Sequence, residues 1–418
     1  MTISKLYKIF QQNPIICTDT RKLKKGSIFF SLKGDNFNGN EYAIEAANNG
    51  CCYSIIDEKT YDTHPKMILV KNVLETLQEL AIYHRKKLTI PIIGITGSNG
   101  KTTSKEIINC VLNSEKKCYS TKGNLNNHIG VPLSILEITL DHEIAIIEMG
   151  ANHYKEISFL CNIAKPTHGI ITNIGLAHLE GFKNLNGIIK TKNELYQSIK
   201  KNNGLLFVNS EDKLLLDLSK SISKITYGES GKIKGKIKQH DPFMKVEFES
   251  CLINSHLIGS FQFTNIMLAI CVGIFFNISK KNIKKAIEGY KPKNNRSQII
   301  KTSRNLLILD AYNANPSSMK AMLTSFAKHK KKNKFCILGD MLELGKESKK
   351  EHEKIINLCM KLKLDCYYVG EEFKKVNPNA FSKREELETL LKQNDLSNKK
   401  ILIKGSRALN LEKLTDIL

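Results

Sequence analysis

The sequence predicts an α/β protein of three domains, and three observations carry that expectation. Short β-branched runs alternate with helix-length segments over most of the 418 residues, the rhythm of sheets covered by helices. That length exceeds what one hydrophobic core accommodates. The rhythm also breaks near residue 88 and again at Lys291-Pro292-Lys293-Asn294-Asn295-Arg296, a polar, proline-containing stretch that reads as a linker.

The expected domains are therefore residues 1–88, 89–296 and 297–418. In the first, Ile28–Leu32, Tyr53–Ile56 and Met67–Val70 read as strands and Val73–Lys86 as a helix. In the second, an apolar run from Ile92 reads as a strand leading into a glycine-rich loop, and the further strand candidates are Ile144–Glu148, Gly169–Asn173 and Leu205–Asn209. The helix candidates are Ser104–Leu112, Tyr154–Ala164 and Asn184–Ile199. This order predicts a parallel sheet, followed over 225–260 by an antiparallel excursion that includes Met244–Phe248. In the third, Leu306–Asp310, Phe335–Leu338, Cys366–Val369 and Ile401–Ile403 read as strands, and Pro316–Lys328 as a helix opened by proline.

Composition excludes several classes. The formal net charge of +23 comes almost wholly from lysines spread along the chain, with six arginines and no tryptophan. Without a basic stripe interleaved with aromatics, no nucleic-acid partner is expected; the positive field suits a small anionic substrate. Eleven cysteines without a C-x-x-C pair fit small core residues, such as Cys110, Cys271 and Cys359, in a reducing cytoplasm. No signal-peptide core and no run of eighteen apolar residues occur, so no membrane association is expected.

The most specific string is Ile92-Ile93-Gly94-Ile95-Thr96-Gly97-Ser98-Asn99-Gly100-Lys101-Thr102-Thr103. A strand breaks into a glycine-bracketed loop that opens into a helix, so backbone N–H groups and a helix N-terminus converge on an anion. Lys101 can reach the outer phosphates, and a hydroxyl of Thr102 or Thr103 can sit on Mg²⁺. The loop from Thr96 to Thr103 is thus expected to hold a nucleoside triphosphate. The strict eight-residue pattern is missed only because position 95 is Ile rather than Gly.

Glu148 ends the strand candidate Ile144–Glu148, where a carboxylate near a phosphate loop offers Mg²⁺ an oxygen ligand. Asn124, Asn126 and Asn127 put three amides into Gly123-Asn124-Leu125-Asn126-Asn127-His128-Ile129-Gly130-Val131-Pro132, suited to sugar, amide and phosphate groups. Asp310, Tyr312, Asn313 and Asn315 follow a strand and precede a helix, where open α/β sheets present ligands. Together they offer a carboxylate, a phenol and two amides to a polar ligand.

In order and spacing these strings resemble the Mur ligase family over essentially the whole chain. Further matches are Cys17-Thr18-Asp19-Thr20-Arg21, Leu32-Lys33-Gly34-Asp35-Asn36-Phe37-Asn38-Gly39, Leu338-Gly339-Asp340-Met341-Leu342-Glu343-Leu344-Gly345 and Lys404-Gly405-Ser406-Arg407. The resemblance implies a small UDP-binding first domain, a central P-loop ATP-binding domain and a Rossmann-like third domain that closes on ATP. Thr18, Asp19, Thr20, Arg21, Lys33 and Gly34 would hold the UDP end of the substrate, and Asn124, Asn126 and Asn127 its muramoyl part. His178, in Thr172-Asn173-Ile174-Gly175-Leu176-Ala177-His178, would help bind a second Mg²⁺. One lysine of Lys190-Thr191-Lys192-Asn193-Glu194-Leu195-Tyr196 would be carbamylated, and the family spacing favours Lys192 over Lys190. Arg296 would contact the transferred phosphate. Gln262 and Asn265 stand where the family contacts adenine, with Phe261 replacing its His, and Asp310 is the lone acid where many members carry two.

The motif Asp310-Ala311-Tyr312-Asn313-Ala314-Asn315-Pro316-Ser317-Ser318-Met319 resembles the branch that adds D-alanyl-D-alanine to a UDP-muramoyl tripeptide. The expected activity is accordingly ATP-dependent, Mg²⁺-assisted amide ligation in peptidoglycan precursor synthesis, by a cytoplasmic monomer. The alternatives are a sister ligase adding L-lysine or diaminopimelate, and a folylpolyglutamate synthase. The long segment ahead of Gly94 argues against the synthase. A GTP switch would need Asn-Lys-x-Asp, which is absent, and a non-catalytic scaffold would leave Glu148, His178 and Lys192 without a task.

Overall fold

Three parallel-rich sheets follow one another along the chain in a computed structural model that describes residues 1–328, 333–394 and 396–418. The first sheet holds Ile16–Cys17, Ile28–Phe30, Tyr53–Ile56 and Met67–Leu69, all parallel and in sequence order. The helix Val73–Lys87 packs on Ile3–Gln12 on one side and on Gly130–Leu136 and Glu156–Ala164 on the other. Arg85 fixes this joint by donating to the carbonyls of Ala164 at 2.8 Å and Lys165 at 3.0 Å.

The central sheet has nine strands. Their order is Cys251–Asn254, Lys245–Phe248, Ile233–Gln239, Lys224–Gly228, Leu205–Asn209, His168–Ile171, Ile92–Thr96, Ile144–Glu148 and Cys118–Ser120. Ile92–Thr96 lies between His168–Ile171 and Ile144–Glu148, parallel to both and buried along its length. The carboxyl ends of these three strands therefore deliver the phosphate loop, Glu148 and the segment leading to His178 to one edge. The antiparallel excursion is shorter than expected. Lys224–Gly228 continues the parallel sheet, and only the last three strands pair antiparallel. Alternation alone does not encode strand direction.

The third sheet runs Gln298–Lys301, Leu306–Asp310, Lys400–Lys404, Lys334–Gly339 and Asp365–Val369. Its first strand is antiparallel to the second and follows directly on the expected linker. Its polar-apolar mixture, Gln-Ile-Ile-Lys, is too short to be distinctive in sequence. The helix expected from Ser104 starts at Lys101 instead, because Gly100, at φ 79°, lets the loop turn into it without a spacer. Gly97 is equally constrained, since at φ +144° a Cβ there would lie 2.0 Å from Thr172 Oγ1. Among the described residues no helix is long and apolar enough to cross a membrane.

Candidate active site

The phosphate loop lies at the floor of a cleft of about 1060 Å³ that the central and third sheets line together. Ser98, Asn99, Gly100, Lys101, Thr102 and Thr103 line it, and the loop is braced from below. Thr172 Oγ1 donates to the Asn99 carbonyl at 2.6 Å, and Asn173 Oδ1 accepts from Asn99 N–H at 3.1 Å. The Lys101 ammonium donates to the Gly97 carbonyl at 2.7 Å. Lys101 is half-buried. Burial lowers its pKa, the Arg296 charge adds to that, and Glu148 opposes it. Such a lysine is short of a counter-anion, which a phosphate would supply.

Glu148 is 2 % exposed. Its Oε2 accepts from Thr102 Oγ1 at 3.0 Å, and its Oε1 accepts from Asn126 Nδ2 at 2.9 Å. Carboxylate and hydroxyl oxygens at the phosphate loop are the donor set a hard divalent cation takes. Among the described residues no group of three or more His, Cys, Asp or Glu side chains is placed to hold a metal. His178 lines the same cleft. Its Nδ1 faces the Glu343 carboxylate, which the imidazole holds below the usual carboxylate range. Both residues are in the left-handed region, His178 at φ 51° and Glu343 at φ 63°, a strain that persists only where the surroundings impose it.

Helix Leu185–Lys201 separates the two candidate lysines by face. Ile188, Thr191, Lys192, Leu195 and Ile199 form its buried side, while Lys190 is exposed. Burial foremost, then the charge of Lys101, lowers the Lys192 pKa to about 7 against the pull of Glu156 and Glu194. Its Nζ lies 5.5 Å from the centre of the Phe182 ring.

From the linker and the third sheet, Arg296, Asp310, Tyr312, Asn313, Asn315 and Lys404 line the cleft opposite the loop. The Arg296 guanidinium lies 3.7 Å from the centre of the Tyr312 ring, with Arg407 at 5.4 Å. Asp310 is tied to Lys404 at 2.6 Å and accepts from Ser297 N–H at 2.9 Å. It therefore anchors its own loop more directly than it faces a nucleotide. Asn315 caps helix Pro316–Ala327 and donates through Nδ2 to Asn99 Oδ1 at 2.8 Å. Asn99 Nδ2 in turn donates to Ser317 Oγ at 2.8 Å, and Ser317 Oγ donates to Asn315 Oδ1 at 2.8 Å. These bonds stitch the loop after Leu306–Asp310 onto the phosphate loop.

Several expectations change. Thr96 does not face the cleft, because its buried hydroxyl donates to the Met149 carbonyl at 2.8 Å. Gln262 and Asn265 line the cleft, yet Asn265 Nδ2 donates to Gln262 Oε1 at 2.7 Å while its Oδ1 accepts from Ser104 at 2.9 Å. Asn265 thereby backs the phosphate loop. Thr18, Asp19, Thr20, Arg21, Lys33 and Gly34 are not among the lining residues. Lys33 is held by Asp57 at 2.9 Å and Glu58 at 2.8 Å, and Arg21 pairs with Asp19 on an exposed turn. Asn124, Asn126 and Asn127 do line the cleft. Sequence reasoning passed over Ser317, Glu343 and Lys404, although each falls inside a quoted motif.

Comparison with known proteins agrees with this arrangement. Residues 95–273 match the Mur ligase middle domain and residues 295–407 the Mur ligase, glutamate ligase domain. The chain is 31% identical to a UDP-N-acetylmuramoyl-tripeptide–D-alanyl-D-alanine ligase of Bacillus subtilis, covering 96% of this chain and 92% of that one. It is similar to a crystal structure of MurF from Acinetobacter baumannii, with TM-score 0.88, 28% identity and coverage of 99% and 98%. It is also similar to MurF ligase from Thermotoga maritima in complex with ADP, with TM-score 0.84, 26% identity and coverage of 97% of each chain.

Proposed function

The chain belongs to the Mur ligase family, and from that premise we propose that it joins D-alanyl-D-alanine to a UDP-N-acetylmuramoyl tripeptide, converting ATP to ADP and phosphate. The observation that carries this reading is the seating of the Asp310–Asn315 loop directly against the phosphate loop through Asn99. That contact brings the amine's site to where the phosphorylated carboxylate forms.

A terminal carboxylate oxygen of the tripeptide attacks the γ-phosphorus, the bond to the β-phosphate oxygen breaks, and ADP leaves. The dipeptide amine then attacks the acyl carbon and loses a proton, and the acyl–oxygen bond breaks to release phosphate. Lys101 and Arg296 offset the charge spread over the transferred phosphoryl group. Asn124, Asn126 and Asn127 orient the muramoyl peptide, while Tyr312, Asn313 and Asn315 receive the dipeptide. Glu148 and Thr102 would hold Mg²⁺, which supplies further neutralisation of phosphate charge. Lys192, buried and with its pKa lowered to about 7, is the amine suited to take up CO₂ as a carbamate. The third sheet's loops shield the acyl phosphate from water. All eleven cysteines are free thiols, which fits a cytoplasmic reaction, and a monomer suffices because one chain carries every group named.

The test is isotopic. With ¹⁸O in the tripeptide's terminal carboxylate, one labelled oxygen should appear in the released phosphate. Phosphate free of label would contradict the acyl-phosphate route.

A further inference from the structure

Lys105 is a buried cation that the chemistry above does not use. It sits one helical turn beyond Lys101 and is 2 % exposed. Its ammonium donates to the Thr121 carbonyl at 2.6 Å and to the Gly123 carbonyl at 3.4 Å. It also lies 3.5 Å from Glu148 Oε2. Those contacts are unlike one another. Thr121 and Gly123 form the root of the loop that carries Asn124, Asn126 and Asn127, whereas Glu148 is the carboxylate at the phosphate loop. The root is tied to Glu148 again by Glu148 N–H donating to Thr121 Oγ1 at 3.0 Å, and the loop itself by Asn126 Nδ2 on Oε1.

We propose that Lys105 is a positioning residue that joins the acceptor-substrate loop to the carboxylate at the metal site. It holds the loop's root in place while restraining the affinity of Glu148 for a divalent cation. A carboxylate buried without a counter-charge is costly, and Lys105 removes that cost when no cation is bound. The same ammonium repels an arriving dication across a short, poorly solvated gap. Glu148 and Thr102 alone therefore hold the cation weakly, and firm binding waits for the phosphates of the nucleotide to add negative charge. The cation then enters with ATP rather than ahead of it. This rests on the assignment of Glu148 as a metal ligand made above.

The test uses the full-length chain and two binding measurements that need no turnover. One is Mn²⁺ affinity without nucleotide, read by electron paramagnetic resonance. The other is UDP-muramoyl tripeptide affinity without ATP, read by calorimetry. Lys105→Met keeps the aliphatic stem and removes the charge, and Lys105→Arg keeps the charge if the methionine variant does not fold. Lys105→Met should bind Mn²⁺ about tenfold more tightly, as removal of a like charge at short range requires. It should bind the tripeptide substrate about tenfold more weakly, through loss of two carbonyl contacts to a charged donor. Lys105→Arg should keep Mn²⁺ affinity near wild type. Opposite shifts of the two affinities support the proposal, whereas shifts in the same direction, or none, overturn it. Glu148→Gln separates the two layers. Unchanged Mn²⁺ binding in that variant would remove Glu148 from the metal site, a failure of the assignment above, while the substrate measurement still reads the hold of Lys105 on the loop.

Discussion

Ser317→Ala tests whether the seam between the phosphate loop and the loop after Leu306–Asp310 matters to catalysis. The substitution deletes two hydrogen bonds, the one from Asn99 Nδ2 and the one to Asn315 Oδ1, both 2.8 Å long. A neutral hydrogen bond contributes roughly 0.5–1.5 kcal/mol net; both are half-buried, and only the one from Asn99 crosses between the loops. The closed arrangement should therefore weaken by about 1–2 kcal/mol, which lowers kcat/KM for the dipeptide roughly 5–30-fold. Asn99→Ala should cost a similar amount, because it removes the bonds to both Ser317 and Asn315. The double variant should cost less than the two losses together by about 1 kcal/mol, since they share one bond. Phosphate release at saturating ATP and muramoyl substrate, with dipeptide varied, measures all three variants. A thermal midpoint within about 3 °C of wild type separates this effect from unfolding. Fully additive losses, or an unchanged kcat/KM in Ser317→Ala, would refute the idea that the seam couples the two loops.

Three further outcomes are expected. Lys101→Ala should abolish ADP release while its thermal midpoint stays within a few degrees of wild type, because folding loses only the bond to the Gly97 carbonyl; calorimetry beside an ADP assay checks both. With its pKa near 7, Lys192 is mostly neutral at pH 7.5, against roughly one part in a thousand for an ordinary lysine. Lys192→Ala should accordingly be nearly inactive and partly rescued by short carboxylates, and electron density in an undenatured crystal should show a carbamate rather than a bare amine. His168, set among Phe207, Phe275 and Phe276, has its pKa lowered by burial to about 4 from 6.5. Between those values the unfolded chain binds a proton the native one refuses, so stability falls as pH drops from 6.5 to 4. The loss is at most about 3 kcal/mol, and His168→Phe should flatten that limb in urea titrations at several pH values.

What the sequence revealed and what it hid divide along a physical line. Strands such as Ile144–Glu148 and Leu306–Asp310 were legible to the residue, because β-branched runs bounded by polar turns encode them locally. The phosphate loop was legible because glycine positions and a following lysine are local requirements too. Contacts between segments far apart in the chain were not. Nothing near Asn99 in sequence announces Ser317, and nothing near His178 announces Glu343; docking of the third sheet on the second creates both. Thr96 was misread for a related reason. A hydroxyl at a strand end looks available until the neighbouring strand's continuation, Met149, supplies an acceptor. The choice of Lys192 over Lys190 rests on family spacing; the fold adds that the helix buries Lys192 and leaves Lys190 exposed.

The central claim is the identity of the amine. Its most direct test is a competition in which UDP-muramoyl tripeptide, UDP-muramoyl dipeptide and ATP meet an equimolar mixture of D-alanyl-D-alanine, D-alanine, L-lysine and meso-diaminopimelate, with products weighed by mass spectrometry. A single amino acid lacks the internal amide that, on the proposed reading, the Tyr312–Asn313 segment receives, leaving polar groups unpaired at about 1–3 kcal/mol each. The UDP-muramoyl pentapeptide should therefore dominate, accompanied by equal amounts of ADP and phosphate. Efficient joining of L-lysine or diaminopimelate to the dipeptide substrate, with no pentapeptide formed, would contradict the assignment.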